Sequence, residues 1–173
     1  MTVRLVTPVA IGLVASALAG CAGVPQQSPP SVKPAAGAPR KHAPIAPQAQ
    51  GDAAARAAQH AAKLVGAPYR YGGSNPSTGF DCSGLIQYSF SQAGLTIPRS
   101  TAEQRRASLR VSDPRQGDLL FFDQEGKKNS HAGIYLGDGY FVHAPSSGKR
   151  VRMDRLDSPY WRRHLSEIRR IGA

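Results

Sequence analysis

The side chains in this 173-residue sequence whose types and spacing could do covalent chemistry are one cysteine and two histidines: Cys82, His131 and His143. Cys82 is one of two cysteines, and the other, Cys21, follows an apolar leader that predicts export and lipid attachment. A lipidated Cys21 cannot pair with Cys82, which leaves an unpaired thiol in an oxidising compartment. A thiol activated by a nearby imidazole is a nucleophile for carbonyl groups. The three residues therefore predict nucleophilic catalysis by Cys82.

The sequence around Cys82 predicts that this residue begins a helix. Apolar or small residues follow it at helical spacing, and Gly94 then stops the pattern. The positive end of a helix dipole favours a thiolate by about 0.3 to 1 kcal/mol at an exposed site. Asp81, the predicted N-cap, opposes a neighbouring negative charge. A cation or base from elsewhere in the domain is therefore expected to complete the site, and the thiol is expected to be poised as an anion.

The two histidines are predicted to lie on neighbouring strands of one hairpin. His131 opens one predicted strand and His143 ends the next, with Gly137–Gly139 between them. A two-residue turn would place the histidines on opposite faces of the sheet. A three-residue loop pairs His143 with Gly133 and leaves His131 as a same-face diagonal neighbour, about 7 to 8 Å away. We predict the three-residue loop, because only that register lets the imidazoles cooperate.

The remaining elements are predicted from periodicity and turn residues. Asp52 is placed as the N-cap of a helix over 53–65. The segment 161–171 is ambiguous between helix and strand, and strand is favoured. The other predicted elements are a loop over 68–80, a short helix over 101–108, and strands beginning near residues 118, 131, 140 and 151. This order, with helices followed by an antiparallel meander, predicts an α+β domain over 52–173.

The N-terminus carries the features of a bacterial lipoprotein leader. Residues 1–20 contain one apolar run, Val9–Ala19, which is too short to span a bilayer. Leu18–Gly20 directly before Cys21 resembles a lipobox, in which that cysteine receives a diacylglycerol. Ala22, rather than Asp, favours the outer membrane facing the periplasm. An ordinary secretory leader with a chance cysteine is the alternative interpretation.

Residues 21–51 differ in composition from the rest of the chain. Seven prolines lie between residues 22 and 50, without one acidic residue. Such a segment cannot form a core and is typical of a disordered linker. Fully extended, it would reach on the order of 90 Å from a membrane anchor.

The chain is strongly basic, with a formal net charge of +11. Export argues against a nucleic-acid partner. The positive charge is better assigned to anionic lipids or to a carboxylate-bearing wall polymer, with a merely solvated surface as the open alternative.

Six ordered motifs between residues 53 and 170 resemble those of the NlpC-type cell-wall endopeptidases. In chain order they are PYRYGG at 68–73, FDCSGL at 80–85, IPRS at 97–100, GDLLFF at 117–122, SHAGIYLG at 130–137 and YFVHA at 140–144. The resemblance implies a papain-like α+β fold, with N-terminal helices packed on an antiparallel sheet. Ala132 is a departure, since the family usually has Val beside the histidine.

The resemblance also implies roles for individual residues. Cys82 corresponds to the nucleophile, His131 to its base, and His143 to the polar residue that orients the base. Three further positions correspond to the substrate cleft, the last two less closely: Tyr69, Ser83 and Arg99. The implied protein is a monomeric hydrolase of peptidoglycan stem peptides or crosslinks that needs no cofactor or metal.

Other classes of function remain open at this point. Cysteine and two histidines could bind zinc, although their spacing lacks the short pairs typical of zinc ligands. The fold could serve as a non-catalytic wall-binding module. The same thiol chemistry could also support an acyltransferase acting on lipid or amine acceptors.

Overall fold

The computed structural model of the chain describes residues 47–146 and 150–172. The predicted leader, Cys21 and most of the predicted linker lie outside the described residues. The helices are α1 Pro47–Ala62, α2 Cys82–Gln92, α3 Thr101–Arg106 and α4 Pro159–His164. The strands are β1 Ser74–Asn75, β2 Gly79–Phe80, β3 Ser108–Val111, β4 Leu119–Gln124, β5 Lys127–Gly137, β6 Tyr140–His143, β7 Arg152–Arg155 and β8 Leu165–Ile171. Within these ranges no helix combines the length and apolar character needed to cross a bilayer.

The larger sheet has six strands in the order β3-β8-β4-β5-β6-β7, and every neighbouring pair is antiparallel. Strands β4 to β7 form the predicted meander. The last strand, β8, instead returns to lie between β3 and β4. Strands β1 and β2 form a separate small hairpin directly before α2, inside the segment predicted to be a loop.

The core lies between one face of the sheet and the helices α1 and α2. Alternate residues of β4 divide between the two faces of the sheet, with Leu119 and Phe121 packed toward the helices and Leu120 and Phe122 on the opposite face. The buried face of α1 is made of small residues such as Ala57, Ala58 and Ala61, which are fully buried. Small side chains let α1 approach α2 closely, and the apolar face of α2 then supplies bulk to the core.

The start of α1 differs from the prediction. The helix begins at Pro47, so Asp52 is an exposed residue within the helix and not its N-cap. Proline is well suited to the first turn of a helix, because its fixed φ is already helical and its missing N–H would have no partner there. Residues 47–51, assigned to the linker by composition, therefore extend the helix.

The β5–β6 hairpin has the predicted register but reaches it by a different turn. Gly133 pairs with His143, as predicted. The connection is a two-residue turn of Asp138 and Gly139, with φ of 51° and 79°, and not a three-residue loop. Positive φ at both positions gives a turn whose twist matches the strands. A register shift at Leu136 adds the extra residue on β5 and keeps both histidines on one face.

The C-terminal segment contains both a helix and a strand. Ser158 caps α4 through its side chain, and Pro159 occupies the first turn, a combination that favours a helix start. The helix places Trp161 against the sheet face opposite α1 and α2. The strand predicted for this segment is confirmed only from Leu165 onward.

Candidate active site

Cys82 is the first residue of α2, as predicted, and borders an open cavity of about 640 Å³. The helix start is capped by Asp81, whose side chain accepts a hydrogen bond of 2.7 Å from the backbone N–H of Gly84. The Cys82 side chain is half-buried, and its Sγ lies 3.8 Å from Oγ1 of Thr101. The thiol is therefore accessible from the cavity at the positive end of a helix.

Both Ser83 and Arg99, which the resemblance places in the substrate cleft, form hydrogen bonds with Asp81. Arg99 binds the two carboxylate oxygens of Asp81 at 3.0 and 2.7 Å. Ser83 is buried, donates to Asp81 at 3.3 Å and accepts from Arg99 at 2.8 Å. Both residues line the cavity, but their polar atoms are already paired. In this structure they fix the position of the helix start.

His131 and His143 meet on the sheet face opposite α1 and α2. Nε2 of His131 lies 2.8 Å from Nδ1 of His143. His143 is fully buried, while His131 is 5% exposed and lines the same cavity as Cys82. Among the described residues, Nδ1 of His131 has no hydrogen-bond partner, and it is not one of the fully enclosed polar atoms. The cavity is therefore lined by both the predicted nucleophile and the predicted base.

A carboxylate that the sequence analysis missed completes the group of polar residues. Oδ2 of Asp154 lies 3.0 Å from Nε2 of His143 and accepts from the Trp161 indole at 2.9 Å and from Arg152 Nε at 3.0 Å. In β7, Arg152 pairs with His143 and Asp154 with Phe141, so Asp154 shares the histidines' face. The register of β7 against β6 is the signal that identifies Asp154. It cannot be read from the sequence, because the connection between β6 and β7 is long.

Aromatic rings surround the histidine pair and keep water from it. The Trp161 indole stacks on the His131 ring with a centroid distance of 5.9 Å and meets the His143 ring edge-on at 4.8 Å. Phe122 and Phe141 lie beside the same rings. This packing fixes the orientation of both imidazoles.

The electrostatics favour a neutral resting site. Burial raises the pKa of the Cys82 thiol, and the negative charge of Asp81 adds to this increase; hydrogen bonds from Thr101 and the backbone oppose it without reversing it. Burial lowers the pKa of His131 to about 3 and that of His143 to about 4, although the contact with Asp154 opposes the latter. The pKa of the Cys82 thiol thus shifts away from the expected resting thiolate, because burial raises it more than the hydrogen bonds lower it.

Tyr69 also lies where the resemblance places it, on the wall of the cavity. Burial raises the pKa of its phenol, and the charges of Cys82 and Asp81 raise it further. The phenol therefore keeps its proton and can act as a hydrogen-bond donor toward the cavity.

Comparison with known proteins finds one family over most of the described chain. The model of the NlpC/P60 family matches residues 66–170. The bifunctional muramidase/DL-endopeptidase CwlT of Bacillus subtilis is 47% identical over 117 residues, which cover 65% of this chain and 35% of CwlT. The murein DD-endopeptidase MepH of Escherichia coli is 39% identical over 113 residues, covering 62% of this chain and 42% of MepH.

A solved structure from Staphylococcus aureus, described as similar to lipoprotein of the NLP/P60 family, matches with a TM-score of 0.62 and 35% identity, covering 70% of this chain and 42% of that chain. This chain thus spans less than half the length of each of these three proteins. The part matched by the family model contains α2, α3 and α4, the sheet up to residue 170 and every residue that lines the cavity. Together with α1, these elements form a papain-like α+β domain. Because the family model covers more than half of the chain, the protein belongs to the NlpC/P60 family.

Proposed function

We propose that this protein is a cysteine endopeptidase that hydrolyses amide bonds in the stem peptides or crosslinks of peptidoglycan. The observation that carries the proposal is the shared cavity, which is lined by Cys82 and by His131, whose Nδ1 has no hydrogen-bond partner among the described residues. Relatives named as a DL-endopeptidase and a murein DD-endopeptidase support this substrate class.

In the proposed acylation step, the thiol of Cys82 gives its proton to Nδ1 of His131 as the sulfur attacks the amide carbonyl carbon. The carbonyl π electrons move to oxygen and form an oxyanion. The backbone N–H of Cys82 at the helix start and the phenol of Tyr69 are the donors proposed to stabilise that charge. Because the imidazolium and the oxyanion form together, each offsets part of the other's burial cost.

Collapse of the tetrahedral intermediate breaks the C–N bond. The imidazolium of His131 protonates the leaving amine, which departs with that proton. The product is a thioester between Cys82 and the acyl half of the peptide. Water then attacks the thioester carbonyl carbon while His131 takes a proton from it. Collapse of this second tetrahedral intermediate breaks the C–S bond and releases the acyl half as a carboxylic acid, and His131 returns its proton to the departing sulfur of Cys82.

The charge of the chain suits this substrate class. Stem peptides carry free carboxylates, and the formal net charge of +11 attracts them to the protein surface. Lys127 is the cavity-lining cation that has no carboxylate partner among the described residues, whereas Arg99 is paired with Asp81. We expect carboxylate-bearing peptides to enter from the Lys127 side.

The N-terminal features belong to the same proposal. Cleavage before Cys21 and lipidation of its thiol would hold the domain at the cell envelope, on the outer membrane facing the periplasm, and residues 21–46 would let it reach the wall. Cells fed a radiolabelled or clickable fatty acid should incorporate it into the wild-type protein and not into Cys21→Ser. Incorporation into both proteins would contradict the anchor.

The decisive experiment for the function is digestion of purified murein, with the new termini identified by mass spectrometry. Wild type should release peptides with new amine and carboxylate ends. Cys82→Ala should release none, His131→Ala almost none, and His143→Ala an intermediate amount. Full cleavage by Cys82→Ala would contradict the proposed nucleophile, and murein binding without cleavage by wild type would favour a wall-binding module.

The acyltransferase and zinc alternatives predict different results. An acyltransferase would transfer the acyl group to an added amine in place of water, and the same mass spectra detect that product. A zinc site would need the two imidazoles to point at a common ion, whereas their nitrogens contact each other at 2.8 Å. Across the described ranges, no group of three or more His, Cys, Asp or Glu side chains is arranged to hold a metal ion.

A further inference from the structure

One carboxylate oxygen, Oδ2 of Asp154, contacts polar groups of three residues behind the histidine pair. The Trp161 indole and the Nε of Arg152 can only donate hydrogen bonds, so Oδ2 accepts from both, at 2.9 and 3.0 Å. The third contact is Nε2 of His143 at 3.0 Å. Because the oxygen is already an acceptor for two donors and carries the charge, Nε2 of His143 must be the protonated nitrogen.

The tautomer of His143 determines the tautomer of His131. A neutral imidazole with its proton on Nε2 has a bare lone pair on Nδ1. Nδ1 of His143 therefore accepts, and Nε2 of His131, 2.8 Å away, must donate to it. His131 then carries its own proton on Nε2, which leaves Nδ1 bare on the cavity side. Each step follows from the donor or acceptor role fixed in the step before it.

Few groups around the histidine pair other than Asp154 could determine which ring nitrogens carry the protons. The side chain of His143 is fully buried, and its Asp154 partner is 23% exposed. Aromatic rings pack against the pair, so water has little access to its nitrogens. Without an acceptor at Asp154, His143 could equally protonate Nδ1, and His131 would then have to accept at Nε2 and hold its proton on Nδ1. In that state Nδ1 of His131 could not act as a base.

We propose that Asp154 is a positioning residue that fixes the tautomers of His143 and His131, and so keeps Nδ1 of His131 free to act as the base. The catalytic meaning of this inference rests on the proposed function, but the tautomers can be measured without it. Arg152 and Trp161 hold the carboxylate in place, with the Arg152 guanidinium also paired to it at 3.0 Å.

The direct test is long-range ¹H–¹⁵N correlation spectroscopy of the histidine rings in the full chain, held in detergent micelles. Wild type should show both His131 and His143 protonated on Nε2. Asp154→Ala should convert a measurable fraction of both to the Nδ1-protonated form. A matched control is Asp157→Ala, which removes another arginine-paired carboxylate from the exposed surface and should leave both tautomers unchanged. Spectra that are identical in wild type and Asp154→Ala would overturn the proposal.

Activity on murein gives the second readout. Asp154→Ala should lower kcat by about 10- to 100-fold, as removal of the partner that orients a metal-ligating histidine does, while KM changes little. Asp154→Asn, whose amide oxygen can still accept from Trp161, should keep more activity than Asp154→Ala. Equal activity in wild type and both variants would contradict the inference. Failure of wild type to cleave would instead refute the proposed function, and the spectra would still report on the tautomers.

Discussion

At the scale of single residues, the thiol of Cys82 shows how burial and helix position compete. A dipole stabilises a thiolate only modestly, whereas burial and the adjacent Asp81 raise the pKa of this thiol above its usual range. Alkylation by iodoacetamide should therefore be slow at pH 7 and should increase with pH to beyond pH 9, because the thiolate is the reactive form. The rate is measured by mass spectrometry of the modified protein. A rate that is already maximal below pH 7 would show a stabilised thiolate and contradict the neutral site.

The sequence was sufficient to select the candidate site residues but not the residues that contact them. Cys82, His131 and His143 stand out because thiols and imidazoles are rare and reactive. Asp154 and Trp161 do not stand out, since a carboxylate on an arginine-rich strand usually faces solvent and a tryptophan usually belongs to a core. Their importance depends on which side of the sheet they share with His143, and that is a property of strand register.

At the scale of elements, local signals were reliable wherever one short stretch determined the structure. The helix starting at Cys82 and the helix capped by Ser100 are confirmed, because cap and periodicity lie together in the sequence. The hairpin register, which was predicted from the need to bring two histidines together, is confirmed. The predicted three-residue loop was wrong, because a two-residue turn and a register shift give that pairing. The position of β8 between β3 and β4 depends on long-range packing, which no local pattern encodes.

The start of α2 also depends on a glycine that lets two elements approach each other. A Cβ added at Gly84 would lie 2.0 Å from the carbonyl oxygen of Gly73, and neither backbone can move without displacing Asp81. Gly84→Ala should destabilise the fold by about 1 to 3 kcal/mol, the usual cost of overpacking, as measured by urea denaturation. The matched control is Gly51→Ala in α1, where nothing lies within 4 Å and helix propensity predicts a gain of about 0.5 to 1 kcal/mol. Equal stabilities for the two variants would contradict the close approach.

At the scale of the whole molecule, the buried histidine pair should make folding stability depend on pH. Folding lowers the pKa of His131 to about 3 and that of His143 to about 4, whereas in the unfolded chain both lie near 6.5. Below about pH 6.5 the unfolded state binds protons that the folded state excludes, so stability falls as the pH drops. Since a tenfold change in proton affinity is worth about 1.4 kcal/mol, the two rings should together account for several kcal/mol between pH 6.5 and pH 4.

Denaturation by urea at a series of pH values tests this dependence on the full chain. Wild type should lose stability steeply from pH 6.5 to pH 4, and His131→Gln should show a shallower slope because one of the two excluded protons is gone. The lowered pKa values of Asp154 and Glu167 act in the same direction at lower pH, where carboxylates of the unfolded chain become protonated, so the comparison is made above pH 4.5. Equal slopes for wild type and His131→Gln in that range would show that His131 is not held neutral by burial, and the neutral resting site proposed for catalysis would have to be abandoned with it.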